Sequence, residues 1–310
     1  MKKNSDYIIP PIDRELLKSE LNESVFVRKT NKGNNEIYIV NHHNSPNTML
    51  EIGRLRELSF SEAGGGTGQE VDIDKYDTSE NCYEQLIVFS PEDQEISGGY
   101  RFIDCSKIIN TDPIALSTAH YFTFSDTFIK NYLPYTIELG RSWVQPNFQP
   151  SVNPRKGVFA LDNLWDGLGA IAVDNPHIKH FFGKMTMYTN YNIEARDALL
   201  YFMNYYFPDP EKIVVPTVPI EVKSSLVDFK KNITGLDFKE GIRVLNSYLK
   251  ERGEFIPPLI NSYMSLSPTM KSFGTAPNKE FGEVEETAIL VTIDDIYDHK
   301  KTRHIDTYKK

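Results

Sequence analysis

The chain predicts a mixed α/β (α+β) layer architecture, a central mixed sheet flanked by helices, rather than a simple parallel βαβ array. Three observations predict it. Met49, Ile52, Leu55 and Leu58 recur at helical spacing up to Phe60. Residues 83–89 and 96–103 are two apolar strands joined by Ser-Pro-Glu-Asp-Gln, a turn-rich connection. Residues 135–144 form the best central-strand candidate, and a long helix follows with Leu161, Leu164, Trp165, Leu168 and Ile171 on one face.

The remaining elements follow in order. Residues 1–35 are polar and read as a loose leader closing in an Asn-Lys-Gly-Asn-Asn turn. A short strand over 36–40 precedes the first helix, for which Ser45 is the expected N-cap and Pro46 the first helical residue. A glycine-rich stretch, 64–68, leads into an acidic segment, and a short helix is expected over 125–133, stopped by Pro134. The proline-rich loop 145–154 separates the central strand from the long helix, which begins near Gly157 and stops before Pro176. A strand over 180–188 and a helix capped by Asn190 and running to Phe207 come next. Residues 208–235 read as irregular, 238–249 as a helix, 257–266 as a helical turn and 287–293 as a buried strand. The expected division is a leader (1–35), a core (36–207), a helical insertion (208–256) and a C-terminal segment (257–310) that completes the core sheet and ends in a basic, frayed tail.

At 310 residues, 40% of them hydrophobic and 25% charged, the chain can bury a large core. A net charge of −9 argues against broad nucleic-acid binding. Two cysteines, Cys82 and Cys105, make no disulfide framework, and no apolar h-region follows the N-terminal lysines. A cytoplasmic protein is expected. No run of about 18 apolar residues exists, so any membrane contact is expected to be peripheral at the inner face, with the basic tail a candidate for it.

Five patterns could carry chemistry. Arg155-Lys156-Gly157 heads the long helix, where unpaired N–H groups and the dipole favour phosphate; a solvated cation pair is the plainer reading. Glu138-x-x-Arg141 places two charges in the central strand. Positions three apart point to opposite faces unless a bulge intervenes, so a structural ion pair with distant residues competes with a catalytic role. Asp72-x-Asp74-x-x-Asp77 lacks the spacing and glycine of a calcium loop, and carboxylate–guanidinium pairs with Arg54, Arg56 and Arg101 are the better expectation than a metal. His177-x-x-His180 straddles a turn and makes a poor metal motif, and the glycine-rich stretch suits a mobile substrate loop.

Arg56-Glu-Leu-Ser-Phe60, the Asp72–Asp77 pattern, Arg101 and Glu138-x-x-Arg141 together resemble, in order and spacing, the acyl-homoserine lactone synthases. The chain more closely resembles bacterial N-acyl amino acid synthases of the ornithine-lipid and glycine-lipid, haemolysin-like type. The shared runs are Glu138-Leu-Gly-Arg-Ser142, Leu164-Trp-x-Gly-Leu168, Phe182-Gly183, Pro257-Pro-Leu-Ile and Phe281-x-x-Val-Glu-Glu-Thr. Two positions depart: Asp72 stands where the lactone synthases carry Glu, and Trp143 replaces the usual Cys after Arg-Ser.

The resemblance implies a GNAT-like acyl-CoA N-acyltransferase fold, with no permanently bound cofactor and an acyl-phosphopantetheine thioester as donor, on acyl carrier protein rather than coenzyme A. In such folds the strand before the long helix splays from its neighbour to pair with the pantetheine arm, and the following helix holds phosphate. Ser142–Val144 and Arg155, Lys156 and Gly157 would be those parts. Glu138 is the first candidate base, directly or through water. A backbone N–H near Trp143 and Val144 is the oxyanion donor. Arg56, Asp72, Asp74, Asp77, Arg101 and Arg141 would surround the acceptor, with Arg101 or Arg141 on its carboxylate. Arg155, Lys156, Lys179 and Lys184 would form a docking patch for an acidic carrier. The implied reaction joins a long 3-hydroxyacyl chain to glycine or ornithine, giving a lyso aminolipid. The alternatives are a lactone-type signal synthase using S-adenosylmethionine, against which the long C-terminal half argues, and a non-catalytic GNAT-like module that binds lipid or protein.

Overall fold

A computed structural model describes residues 6–111 and 114–309. Residues 1–5 of the expected leader and Lys310 of the basic tail lie outside the described residues. In place of a loose leader, α1 (Arg14–Glu20) is capped by Asp13, and β1 (Phe26–Lys29) pairs with β2 (Glu36–Val40). Phe26 packs edge-on against Tyr38 with ring centroids 5.6 Å apart, which ties this edge strand down.

The first long helix, α2 (Pro46–Ala63), starts at Pro46 as expected, but Ser45 makes no side-chain cap. Glu20 of α1 takes that role: its carboxylate accepts from the backbone N–H groups of Asn47 at 3.0 Å and Thr48 at 2.7 Å. A short α3 (Lys75–Thr78) precedes the hairpin of β3 (Glu84–Ser90) and β4 (Glu95–Asp104). Residues 105–111 and 114–135 cross one face of the sheet and include β5 (Phe122–Phe124). The helix expected there is a single π-type turn, Phe128–Tyr132, tightening into a 3₁₀ turn at Pro134.

The central strand is β6 (Thr136–Val144). The helix after it is broken into α4 (Pro154–Gly157) and α5 (Ala160–Asp174). Next come β7 (His180–Met187) and α6 (Ile193–Tyr206), which is capped by Asn192, not Asn190. The stretch read as irregular contains β8 (Val214–Pro216), which pairs with β5, and α7 (Val227–Ile233). The helices α8 (Phe238–Lys250) and α9 (Pro258–Met264) lead to the hairpin of β9 (Lys271–Asn278) and β10 (Val284–Thr292). The tail is docked, not frayed: α10 (Asp298–His304) lies on α5, with Arg303 paired to Asp162 and His304 Nδ1 2.8 Å from Asp166.

Eight strands form one sheet in the order β1-β2-β3-β4-β6-β7-β10-β9, antiparallel except at β6–β7. One face carries Leu86, Tyr100, Leu139, Phe181, Met185 and Ile289 into a core with α5, α6, α8 and α9. The other face packs Ile87 and Trp143 against α2, and Phe182 and Leu290 against Ile108, Leu116, Phe122 and Phe128.

Candidate active site

The two central strands set the geometry. β6 and β7 pair in parallel over Thr136–Leu139 and His180–Gly183, and the pairing ends at the Leu139–Gly183 rung. Beyond it the strands splay, and Gly140, Arg141 and Ser142 change from enclosed to partly open. On its other edge β6 carries a bulge. Gly140 pairs with Arg101 and Trp143 with Gly99, so Arg141 and Ser142 together stand opposite Tyr100. Arg141 takes a left-handed conformation there, with φ of 46°. The bulge cancels the alternation that would send Glu138 and Arg141 to opposite faces, and both join one polar layer on the α2 side.

That layer contains three arginines and three aspartates. Arg56 Nε donates to Asp72 at 3.0 Å and its Nη1 to Asp77 at 3.2 Å. Arg101 Nη1 donates to Asp74 at 2.7 Å and to Asp77 at 3.2 Å. Arg141 holds Asp72 with two nitrogens, at 2.8 and 3.1 Å. Burial disfavours the Asp72 anion, but Arg141 and Arg56 outweigh it and hold the carboxyl below the usual carboxylate range. Asp77 is likewise held low against burial, by Arg56 and Arg101. The acidic pattern is therefore taken up by guanidinium groups. The Arg101 guanidinium also lies over the Tyr83 ring at 5.0 Å, and the Tyr83 hydroxyl donates to Glu138.

A cavity of about 230 Å³ opens in the splay. Its polar end holds Arg141, Lys184, Thr186 and Glu286, walled by Tyr188 and Phe281. Its apolar limb runs between Leu139, Trp165, Ile260, Leu266, Ile289 and Val291. The two ends lie on opposite faces of the sheet because alternation along β7 and β10 puts Lys184, Thr186 and Glu286 on one face and Met185, Ile289 and Val291 on the other. Lys184 Nζ donates to Glu286 at 2.5 Å; Thr186 and Asn278 donate to the same carboxylate at 2.9 and 3.0 Å. Burial pushes the Lys184 amine below the usual lysine range; Glu286 opposes the shift and Arg141 adds to it. Burial, with the Glu286 charge nearby, pushes the Tyr188 hydroxyl up to about 12. Within the apolar limb, the Tyr100 and Tyr263 hydroxyls meet at 3.0 Å.

The predicted residues divide by position. Arg141 and Ser142 line the cavity. Arg56, Asp72, Asp74, Asp77 and Arg101 stand outside the lining in an ion network that reaches Arg141 through Asp72 and Asp74. Glu138, expected as the base, is fully enclosed away from the lining, and Tyr83, Ser117 and Thr118 occupy its carboxylate. The Trp143 ring packs among Ile52, Leu55 and Ile87 on the α2 side, so Trp165, not Trp143, flanks the apolar limb. Val144 pairs with Gly98, and its carbonyl accepts from Gln149 at 3.2 Å.

Arg155, Lys156 and Gly157 lie outside the lining. Arg155 is exposed, and Lys156 pairs with Asp93. A Cβ on Gly157 would fall 2.4 Å from the Pro150 nitrogen, so loop packing explains that glycine. Lys184 is inside the cavity and cannot serve a docking patch; Lys179 remains exposed. The glycine-rich stretch is tied down, because Thr67 and Gly68 donate backbone N–H groups to Glu57 at 2.8 and 2.9 Å. His177 bonds Asp104 and His180 lies near Thr292, so these histidines do not converge. Sequence reasoning missed Glu286, Thr186 and the cavity position of Lys184. The available signal was Lys184 within the mostly apolar β7 and the Glu285-Glu286 pair in β10.

Residues 55–155 match the acetyltransferase (GNAT) domain. The chain is 50% identical over 309 residues to a glycine N(alpha)-acyltransferase of Phocaeicola vulgatus, covering 98% of this chain and 94% of that protein. It is 52% identical over 303 residues to one of Bacteroides thetaiotaomicron, covering 97% and 90%. Among solved structures, FeeM, an N-acyl amino acid synthase from uncultured soil microbes, aligns over 89% of this chain and 98% of its own, with 9% identity and a TM-score of 0.39.

Proposed function

Because this chain belongs to the family of the glycine N(alpha)-acyltransferases, we propose that it joins a long acyl chain, delivered as a thioester, to the amine of a small amino acid, glycine first. The chain is an acyltransferase with the GNAT fold. The observation that carries the specific reading is the two-ended cavity in the β6–β7 splay: charged groups at one end, an apolar limb at the other. An acyl chain fits the limb, and an amino acid fits the charged end.

In this reading Arg141 holds the acceptor carboxylate. Its Nε and Nη2 are fixed on Asp72, which aims the guanidinium and leaves Nη1 for the substrate. Arg101 is 2% exposed and engaged with Asp74 and Asp77, so it supports Arg141. The base is Lys184. Burial favours its neutral form, which is the form that can accept a proton from the substrate ammonium. Glu286, fixed by Thr186 and Asn278, orients that amine.

The freed amine attacks the thioester carbonyl, a C–N bond forms, and the oxyanion takes a backbone N–H of the splayed segment near Trp143 and Val144. The C–S bond then breaks. Of the two protons the ammonium loses, one ends on the departing thiol and the other leaves to solvent. The Tyr100–Tyr263 hydroxyl pair supplies polar atoms in the limb for a 3-hydroxyl on the chain.

Acyl carrier protein is the proposed donor carrier, its pantetheine arm lying along Ser142–Val144 with Arg155 and Lys179 exposed for docking. Among the described residues no helix is long and apolar enough to cross a membrane, and the proposed membrane contact is a peripheral one. The test is incubation with acyl-carrier-protein and coenzyme A thioesters and each common amino acid, with N-acyl product read by mass spectrometry. N-Acylglycine is expected, and no product with any amino acid overturns the reading.

A further inference from the structure

The apolar limb ends at a wall with a second void behind it. Trp165, Phe181 and Leu266 line the main cavity and also a separate pocket of about 20 Å³. The far side of that pocket is Leu168, Gly169, Ile296 and Ile305, closed by α10. The closure is tight because residue 169 has no side chain: a Cβ there would fall 2.1 Å from the His304 carbonyl oxygen. Trp165 is fixed in the wall, edge-on to the Tyr263 ring with centroids 5.9 Å apart, and Tyr263 is itself tied to Tyr100. A half-buried indole thus stands, with Phe181 and Leu266, between two apolar spaces.

We propose that Trp165, with Phe181 and Leu266, is the stop against which the terminal methyl of the acyl chain rests, and that Trp165 sets the accepted chain length. The proposal rests on the N-acyltransferase reading and adds the specificity-determining residue. Each methylene that finds apolar space gains about fourfold in binding, and one forced against a packed wall loses that gain and strains its neighbours. The wild-type profile should therefore rise with chain length and then fall sharply. Removing the indole should move the fall to longer chains by joining the two spaces.

The experiment measures kcat/KM for glycine acylation with an even-chain series of saturated acyl thioesters, on acyl carrier protein and on coenzyme A. A parallel calorimetric series measures binding of the matching N-acylglycines. W165A is expected to shift both optima to longer chains, with at least a tenfold gain for the first chain that wild type rejects. W165F, which keeps a ring against Tyr263, should show a smaller shift and serves if W165A is too unstable to purify. The double variant W165A/I305W, which refills the space from α10, should restore the wild-type cut-off. An unshifted cut-off in folded W165A or W165F overturns the proposal, as does a failure of I305W to reverse it. If wild type transfers no chain but binds N-acylglycines with a Trp165-dependent cut-off, the acyltransfer reading falls and the wall stands. If it binds no chain, both fall.

Discussion

Arg141 lines the cavity while Asp72, which grips it through two hydrogen bonds of 2.8 and 3.1 Å, is fully enclosed behind it. The same carboxylate accepts from Arg56 at 3.0 Å, so one aspartate fixes a cavity-lining guanidinium to a fully buried one. D72N keeps the shape and removes the charge, leaving two arginines facing an uncharged amide. Breaking a buried ion network in this way costs about 3–5 kcal/mol. The midpoint of urea denaturation should fall accordingly, and the KM for glycine should rise as Arg141 loses its anchor. An unchanged midpoint would remove the network from the account of stability.

The network also sets an acid limit. Asp72 and Asp77 have folded-state pKa values below their unfolded ones, so their stabilisation is complete above the unfolded value of about 3.9. It is lost as the pH falls from there through the folded values. Urea midpoints measured against pH should be level around neutrality and drop below roughly pH 4. D72N should show a shallower drop, having one fewer depressed carboxyl to titrate.

The Lys184 amine has the opposite consequence, because in the proposed mechanism its neutral form works. Activity should rise with pH through a folded-state pKa below the usual lysine value, since burial favours the uncharged amine. K184R keeps a cation beside Glu286 but cannot deprotonate. Its kcat should fall about 10²- to 10⁴-fold, the range of general-base catalysis, and the rising limb assigned to Lys184 should vanish while that of the glycine amine stays. A K184R enzyme with wild-type kcat would return the search for the base to water or another side chain.

What could be read in the chain was local. Apolar spacing located α2, α5, α8 and most strands, because helical and alternating periods are written in neighbouring residues. β9 was hidden: Gly274 and Pro277 interrupt its pattern, and its pairing with β10 supplies what propensity does not. At the site, the Glu138-x-x-Arg141 spacing was visible, but the bulge that unites the two on one face depends on pairing with β4, which no local pattern reports. Lys184 and Glu286 are 102 residues apart in the chain and meet only through strand register. Trp143 and Trp165 were equally visible; the bulge in β6 turned the first to α2, where alternation alone would have left it on the face of Leu139, and α5 packing brought the second to the cavity.

Gly183 offers a test of the splay itself. It occupies the last paired rung between β6 and β7, where a Cβ would lie 2.6 Å from the Leu139 carbonyl oxygen. G183A must therefore push the two strands apart at the point where the cavity begins. Overpacking of this kind costs about 1–3 kcal/mol, which a lowered urea midpoint would record. The catalytic loss should be larger than that cost suggests, because Lys184 follows Gly183 directly and a shift of about 1 Å at the reacting groups is worth about 10²-fold in rate. The loss should fall mainly on kcat, with glycine KM less affected, since Arg141 belongs to β6 and is held there by Asp72. A G183A enzyme with lowered stability and wild-type kcat would show that the rung supports the fold without positioning Lys184.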